Sequence, residues 1–196
     1  MTLIKPTGNI EIKRKIRASK CEIRKVMAKD QRTFLNENHI QGYTNCSVCL
    51  GLYYKDELVY LMSFGIPRRN NITYITWDLR RAAGLKDAYI YGGASKLLKY
   101  FKENFDLGKG IITYQDPEQF DGHSYERIGF KYHHTVKDDY KYIIDGKEYN
   151  KQYGKKSNIY KRHPEWKDLG LTERQMMEMD GFERVYHKGL IAYIYK

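Results

Sequence analysis

The residues whose types and spacing best suit ligand chemistry lie around two adjacent glycines. Gly92 and Gly93 precede a run in which apolar side chains recur every three or four positions, the pattern of an amphipathic helix. Glycines at the start of a helix allow a sharp turn and leave the first N–H groups open to a phosphate or pyrophosphate. A hydroxyl and a cation follow in the first turn. The predicted anion site comprises Gly92, Gly93, Ala94, Ser95 and Lys96.

Two common nucleotide-binding motifs are absent from this stretch. The dinucleotide fingerprint needs three spaced glycines with an acidic residue about 20 positions later, and the P-loop needs a Gly-Lys-Ser/Thr sequence. Only the pair Gly92-Gly93 is present. The simpler interpretation of this pair is a tight turn between a strand and a helix, and the sequence leaves both interpretations open.

Three cysteines offer a second kind of chemistry. Cys46-Ser-Val-Cys49 has the spacing of metal-binding and redox-active pairs, but no second cysteine pair or adjacent histidine pair completes a metal site. The pair falls within a strand-like run, so we expect both side chains to be buried structural residues. Because the cysteines are odd in number and no secretory signal is visible, we expect a reducing, cytoplasmic environment.

The composition indicates a folded, basic protein. Of 196 residues, 41% are hydrophobic, and the formal net charge is +11 with a pI near 9.4. A basic excess of this size favours a polyanionic partner, most often nucleic acid, although it also occurs in proteins that are merely soluble. The 19 tyrosines suit both base stacking and β-strands. Because no apolar run reaches the length of a membrane-spanning helix, we expect no membrane partner.

The elements that must position these residues follow from the apolar periodicity. Over the first 145 residues the order is β-α-β-β-β-α-β-α-β-β. This order predicts the α/β (α+β) class, with a mixed, mostly antiparallel sheet flanked by helices and a small basic C-terminal α+β appendage. Thr172 predicts the N-cap of a late helix, and residues 186–195 predict a closing β-hairpin. The expected parts are a basic N-terminal arm at residues 1–19, a main domain at 20–148 and an appendage packed on it at 149–196.

The order of elements resembles the GNAT (N-acetyltransferase) fold. Members of that fold hold the pyrophosphate of coenzyme A in the loop before their central helix, through an Arg/Gln-x-x-Gly-x-Gly/Ala motif. The segment Tyr89-Ile-Tyr-Gly92-Gly93-Ala94 keeps the Gly-x-Ala half of this motif and has Tyr89 in place of Arg or Gln. The resemblance implies a GNAT-like acyltransferase that binds acetyl-CoA through residues 92–96.

Several short segments, taken in order, carry a narrower resemblance. They are Asn38-His-Ile-Gln-Gly42, Leu50-Gly-Leu-Tyr-Tyr54, Ser63-Phe-Gly-Ile-Pro67, Gly92-Gly-Ala-Ser-Lys-Leu-Leu98, Tyr114-Gln-Asp116 and Tyr125-x-x-x-Gly-Phe130, followed near the end by Tyr153-Gly-Lys-Lys156 and Leu171-Thr-Glu173. The set is similar to the phage Mom-type DNA-modification proteins and to the related GNAT-fold domain of phage Hef-like homing endonucleases.

This narrower resemblance implies a specific activity. Mom-type proteins add a carbamoylmethyl (acetamido) group to N6 of adenine in DNA, which protects phage DNA from host restriction. The implied cofactors are acetyl-CoA and iron, and the implied acceptor is double-stranded DNA. The implied location is the cytoplasm of the host bacterial cell during phage infection.

The resemblance also implies which residues carry the reaction. The functional residues of the family correspond to His39, Arg81, Ser95, Asp116 and Tyr125. His39 can accept the proton of the adenine amine, and Tyr125 can protonate a departing thiolate. Alternatively, His39 and Asp116 ligate a metal ion, with Tyr125 as a third ligand. The tyrosine that follows the family's histidine is absent here.

Reaching a base in duplex DNA requires its extrusion from the stack and contacts to the phosphate backbone. The candidate phosphate contacts are Arg68, Arg69, Lys155, Lys156, Lys161 and Arg162, with Lys13 and Arg14 in the N-terminal arm. Two other functions stay open, namely an N-acetyltransferase that acts on a small amine or a protein, and a non-catalytic DNA-binding module. The sequence is compatible with a monomer and with a dimer.

Overall fold

A computed structural model describes residues 12–67, 73–119, 122–137 and 139–196 of the chain. The strands in this part of the chain are β1 (Arg14–Arg17), β2 (Glu22–Lys25), β3 (Val48–Tyr54), β4 (Glu57–Gly65), β5 (Trp77–Gly84), β6 (Ala88–Tyr91), β7 (Ile111–Gln115), β8 (Lys131–Thr135), β9 (Asp139–Ile144), β10 (Lys147–Asn150), β11 (Glu183–His187) and β12 (Ile191–Tyr195). The α-helices are α1 (Ala28–Asn38), α2 (Gly93–Asn104), α3 (His123–Arg127), α4 (Lys156–Arg162) and α5 (Glu173–Met179).

The large sheet has seven strands in the order β2-β3-β4-β5-β7-β12-β8. Its neighbouring strands are antiparallel except β5 and β7, which are parallel. Along the chain, α1 lies between β2 and β3, and α2 lies between β6 and β7. The predicted fold class, a mixed, mostly antiparallel sheet flanked by helices, is therefore confirmed.

Helices α1 and α2 bury their apolar stripes against this sheet. Leu97, Leu98 and Phe101 of α2 are buried, and the ring of Phe101 stacks on Phe64 of β4 with centroids 3.8 Å apart. Leu35 of α1 enters a separate apolar cluster. Neighbouring residues of β4 alternate between the two clusters, so the two helices cover opposite faces. Each fully buried Leu or Phe stabilises the fold by roughly 1.5–3 kcal/mol.

The parallel pair at the centre of the sheet separates soon after it begins. Its ladder contains two residue pairs and ends at Asp78↔Ile112. At the next position a side chain replaces the ladder, because Oγ1 of Thr113 donates a hydrogen bond to the carbonyl oxygen of Leu79 at 3.1 Å. Beyond this point the two strands continue without a shared ladder, and the gap between β5 and β7 is this unpaired stretch, residues 79–84 of β5 and 113–115 of β7.

A β-bulge in β5 determines where two arginines point. The register between β4 and β5 skips Arg80, which is the extra residue. In a regular strand the side chains of Arg80 and Arg81 would point to opposite faces. Here both reach the segment between α1 and β3. Arg80 donates to the carbonyl oxygen of Asn45, and Nε of Arg81 donates to that of Gly42 at 3.0 Å.

The chain divides into two units, Met1–Thr135 with Ile191–Lys196, and Val136–Leu190. The predicted appendage boundary at residue 149 falls inside the second unit, and the predicted three-part organisation stays a prediction. Within the described residues, no helix is long and apolar enough to cross a membrane.

The second unit contains the antiparallel sheet β10-β9-β11 with helices α4 and α5. Helix α5 begins at a capping box, in which the side chain of Thr172 accepts a hydrogen bond from the backbone N–H of Gln175. The predicted N-cap is therefore confirmed. The core of this unit consists of Tyr142, Ile159, Met176, Met177 and Phe182.

The predicted β-hairpin at residues 186–195 is wrong. β11 pairs with β9 in the small sheet, whereas β12 lies between β7 and β8 in the large one. The physical reason is burial, because Ala192 and Ile194 of β12 enter an apolar cluster of the large sheet. The local turn signal is therefore overridden by partners distant in sequence.

Candidate active site

The start of helix α2 has the geometry expected of an anion site. Gly92 adopts the left-handed conformation with φ 73°, and α2 begins at Gly93 without a side chain capping its first turn. A Cβ on Gly93 would lie 3.2 Å from side-chain atoms of Ile90 and Tyr60. The glycine pair therefore makes the predicted tight turn and also leaves N–H groups at the positive end of α2 open.

An open cleft of about 910 Å³ lies beside this helix start. Its lining is strongly basic, and it places cations near the helix N-terminus, where the dipole already favours an anion. The side chains of Lys15, Arg17 and Lys99 are exposed. The lining residues are Lys15, Arg17, Ala18, Ser19, Tyr91, Gly92, Ser95, Lys96 and Lys99.

Lys96 is engaged with the protein itself. Its Nζ donates hydrogen bonds to the carbonyl oxygens of Ala18 at 2.9 Å and Cys21 at 2.6 Å. This side chain anchors the segment after β1 to α2, and the ligand-binding role predicted for it stays a prediction. Arg17 and Lys99 are cleft cations that were not predicted from the sequence; the signal for Arg17 was the basic run that ends at this residue.

Tyr125 lies where β5 and β7 separate. Its ring is partly exposed, but its hydroxyl lies in the protein interior and is hydrogen-bonded to the side chain of Thr113. Burial raises the pKa of Tyr125, and the hydrogen bond with Thr113 and the positive charge of Arg81 oppose that rise. Tyr125 is therefore a phenol that keeps its proton at neutral pH.

Two buried hydroxyl groups nearby have no hydrogen-bond partner in the described part of the chain. Oη of Tyr60 and Oγ of Ser63 both lack one, although these residues are 1% and 0% exposed. Burial, reinforced by the neighbouring Tyr125, raises the pKa of Tyr60. An unsatisfied buried hydroxyl costs about 1–3 kcal/mol, so such groups mark positions where a ligand or water would bind.

His39 is the C-cap of helix α1 and lies within electrostatic range of Arg81. The backbone N–H of Gln41 donates to Nδ1 of His39 at 3.1 Å, which places the ring proton of the neutral form on Nε2. Burial, followed by the positive charge of Arg81, lowers the pKa of His39 to about 4. The imidazole is thus neutral at pH 7 with its basic nitrogen occupied. This geometry favours a hydrogen-bond donor over the predicted general base.

Arg81 connects two of the predicted catalytic residues electrostatically. It acts on the pKa of His39 and on that of Tyr125, so its guanidinium lies within electrostatic range of both. The charge of Asp78, a residue not predicted for the site, raises the pKa of Tyr125. Asp78 also forms an ion pair with Arg80 at 3.8 Å. No local pattern distinguishes Asp78, because its importance arises from the end of the parallel ladder.

Asp116 follows the last residue of β7. Its Oδ1 accepts a hydrogen bond from the backbone N–H of Glu118 at 2.9 Å, and its carbonyl oxygen accepts one from Gln119. These bonds form an Asx turn, the structural alternative for this residue type. Within the described residues Asp116 makes no hydrogen bond or ion pair with His39, Arg81 or Tyr125, so its predicted catalytic role stays a prediction.

The described ranges contain no group of three or more His, Cys, Asp or Glu side chains arranged to hold a metal ion. The geometry therefore gives no support to the predicted metal site at His39 and Asp116, or to iron.

Six of the eight predicted DNA contacts divide into three groups. Arg68 and Arg69 lie outside the described residues, and Lys155, Lys156 and Lys161 are exposed. Arg162 instead makes contacts within the second unit. Its Nη1 donates to two backbone carbonyl oxygens of that unit, at 3.1 Å and 3.3 Å, and its Nη2 lies 3.3 Å from a carboxylate oxygen of Asp180. This arginine is therefore engaged in folding contacts.

No protein-family model matches this chain, and no curated protein matches it. Among solved structures, the chain is similar to the crystal structure of a Bacillus subtilis acetyltransferase in complex with CoA. The identity is 13%, the match covers 90% of this chain and 99% of that chain, and the TM-score is 0.45. A similarity of this size carries no inference about function.

Proposed function

We propose that the protein is a GNAT-like acyltransferase that uses a coenzyme A thioester such as acetyl-CoA. The observation that carries this proposal is the gap between β5 and β7, together with the glycine-opened start of α2. Coenzyme A combines an extended chain of amides with a pyrophosphate, and these parts suit the gap and the helix start, respectively. When bound, the thioester supplies an activated acyl group.

The residues that would hold the phosphates are those of the basic cleft. The first turn of α2 borders the cleft through Gly92 and Ser95, and Arg17 and Lys99 add positive charge at its wall. Charge-assisted hydrogen bonds to phosphate are shorter and stronger than neutral ones. The cleft therefore combines the backbone and side-chain donors that a pyrophosphate requires.

The residues around the gap would handle protons and orient the acceptor. Tyr125 retains a proton at neutral pH and is positioned to donate it to a leaving group. The Nε2–H of His39 and the guanidinium of Arg81 supply donors for the acceptor. We assign to Asp116 the acceptance of the amine proton. The backbone N–H of Glu118 donates to only one of its two carboxylate oxygens, so the other can accept a proton.

The finer proposal concerns the acceptor. We propose that it is adenine N6 in double-stranded DNA, modified with a carbamoylmethyl or other acyl-derived group that protects phage DNA from restriction. The net charge of +11 and the exposed Lys155, Lys156 and Lys161 support a polyanionic acceptor. The resemblance of the short segments to Mom-type proteins supports the base and the group transferred.

Binding of acetyl-CoA is the first test. The double substitution Arg17→Glu with Lys99→Glu reverses two exposed charges of the cleft, whereas Lys25→Glu reverses an exposed charge on β2 outside it. Calorimetry should show acetyl-CoA binding to the unmodified protein and to the control, with affinity at least tenfold weaker in the double variant. If the unmodified protein does not bind acetyl-CoA, the start of α2 is a structural turn and not a phosphate site.

The acceptor is tested separately. Intact-mass analysis of nucleosides from plasmid DNA co-expressed with the protein should show a modified adenine. An unmodified plasmid, combined with acetylation of a small amine or a protein, would favour the N-acetyltransferase alternative. Neither product, with DNA binding retained, would indicate a non-catalytic module.

A further inference from the structure

Two thiols lie together on the segment that also carries His39. Cys46 precedes β3 and Cys49 is its second residue. The sequence predicts that both are buried, but only Cys49 is, at 8% exposure, whereas Cys46 is half-buried and packs against the same apolar cluster. Each thiol acts on the pKa of the other, so the two side chains lie within electrostatic range of each other. One thiol of this pair is therefore accessible and the other protected.

The surroundings of Cys46 favour its thiolate. Its Sγ lies 3.4 Å from Oε1 of Gln31, a buried α1 residue whose Nε2 donates to the carbonyl oxygen of Thr44 at 3.1 Å. The interaction with Cys49, then that with Gln31 and then the positive charge of Arg80 lower the pKa of Cys46 to about 7, although burial opposes them. The interaction with Cys46, reinforced by burial, raises the pKa of Cys49. Arg80 is the charged side chain that acts on Cys46.

A metal does not account for this pair. A structural zinc site is closed by further cysteine or histidine ligands. The described residues contain no third metal-binding side chain beside the two thiols. Two adjacent thiols of unequal acidity, one accessible and one protected, instead match the arrangement of an attacking and a resolving cysteine.

We propose that Cys46 and Cys49 form a redox-active dithiol, in which a hydroperoxide oxidises Cys46 and Cys49 then closes a disulfide. The Cys46 thiolate attacks one peroxide oxygen, the O–O bond breaks, and the other oxygen leaves as an alcohol or water after it takes up a proton. Cys46 is then a sulfenic acid. The sulfur of Cys49 attacks it, the S–O bond breaks, and water leaves with the Cys49 proton. The pair loses two electrons and the peroxide gains them.

The bond would form beside the candidate active site. Arg80 donates to the carbonyl oxygen of Asn45, next to Cys46, and the adjacent Arg81 donates to that of Gly42. A disulfide requires the two sulfurs to approach to a covalent length of about 2.05 Å. That movement draws Cys46 away from Gln31. Oxidation of the two thiols does not depend on the proposed acyl transfer.

The test is treatment of the reduced protein with equimolar hydrogen peroxide at neutral pH, followed by peptide mapping. The expected product is a Cys46–Cys49 disulfide, with Cys21 remaining alkylatable after denaturation as the internal control. In Cys49→Ser, we expect a sulfenic acid at Cys46 that dimedone traps. In Cys46→Ser, we expect no oxidation of Cys49. Circular dichroism verifies that both variants are folded.

Alkylation by iodoacetamide provides a second readout. The rate at Cys46 should rise with pH around a midpoint near 7, because the thiolate is the reactive form. The midpoint should move upward in Cys49→Ala, which removes the thiol donor and puts no other donor in its place. A midpoint equal to that of an ordinary cysteine, about 8.5, or sulfinic acid at Cys46 without a disulfide, would overturn the proposal.

Discussion

Tyr60 lies directly beneath Gly93, because a Cβ on Gly93 would be 3.2 Å from Cγ of Tyr60. The ring of Tyr60 thus supports the first turn of α2, while its hydroxyl lies within electrostatic range of Tyr125 at the gap between β5 and β7. One side chain therefore links the proposed phosphate site to the proposed reaction site. It does so with a buried hydroxyl that has no partner among the described residues.

The substitution Tyr60→Phe separates structural from ligand-binding roles of this hydroxyl. Removal of an unpartnered buried hydroxyl should leave the free energy of unfolding unchanged or raise it, since no hydrogen bond is lost. If the hydroxyl binds the acyl donor, kcat/KM for acyl transfer should fall about threefold to tenfold, the value of one hydrogen bond. Chemical denaturation and steady-state kinetics measure the two effects.

Tyr54→Phe, at a half-buried position on β3, is the matched control and should change neither quantity strongly. A loss of about 2 kcal/mol or more in Tyr60→Phe would show that the hydroxyl has a partner within the protein.

Stability should depend on pH through His39. The folded protein holds its pKa at about 4, whereas an unfolded chain has a value of about 6.5. Between these values the unfolded chain binds more protons, so the free energy of unfolding should fall as the pH decreases from about 6.5 to about 4. The expected loss is on the order of 1–2 kcal/mol after allowance for solvent screening.

His39→Gln cannot titrate and should flatten this part of the stability curve, measured by urea denaturation at several pH values. His123→Gln changes an exposed histidine and is the control. A curve for His39→Gln that keeps the full acid dependence would mean that other groups cause it.

Two substitutions of His39 distinguish a role as hydrogen-bond donor from a role as general base. Glutamine retains an N–H donor but cannot accept the substrate's proton, so His39→Gln should keep most of the acyl-transfer rate while His39→Ala loses about tenfold or more. An equal, large loss of kcat in both variants would restore the role of general base.

The role of Asp116 can be tested with one substitution that keeps its turn and one that removes it. Asp116→Asn keeps the side-chain oxygen that accepts from Glu118, so the turn and the stability should be preserved. If the carboxylate accepts a proton during catalysis, kcat should fall about a hundredfold or more. Asp116→Ala removes both functions and should also lower the melting temperature. Full activity in Asp116→Asn would leave this residue with a turn-forming role alone.

DNA binding should depend on the exposed lysines of α4 and its surroundings. Replacement of Lys155, Lys156 and Lys161 by alanine should weaken duplex binding, and the slope of log K against log salt should become shallower by up to about 0.9 per lost phosphate contact. Arg162→Ala is the counterpart, because it breaks contacts that hold the second unit. It should lower thermal stability with little change in salt slope. An unchanged slope in the triple variant would place the DNA surface elsewhere.

The sequence by itself determined the features whose signals are local. The periodicity of Leu97, Leu98 and Phe101 predicted α2, Gly92 predicted its turn, and Thr172 predicted the cap of α5. Each of these depends on neighbours within about one or two helical turns. Most strands of the first 145 residues were also readable, because alternation and turn residues mark each strand separately, but the predicted order lacks β1 and β6.

Only the tertiary structure decided the chemical surroundings of the site residues. The bulge at Arg80 and the position of β12 depend on strand partners distant in sequence. The lowered pKa of His39 requires burial and the charge of Arg81, and the unequal thiols of Cys46 and Cys49 require their contact and the charge of Arg80. Burial and electrostatic interactions arise when separate elements pack together, so no local pattern of residues encodes them.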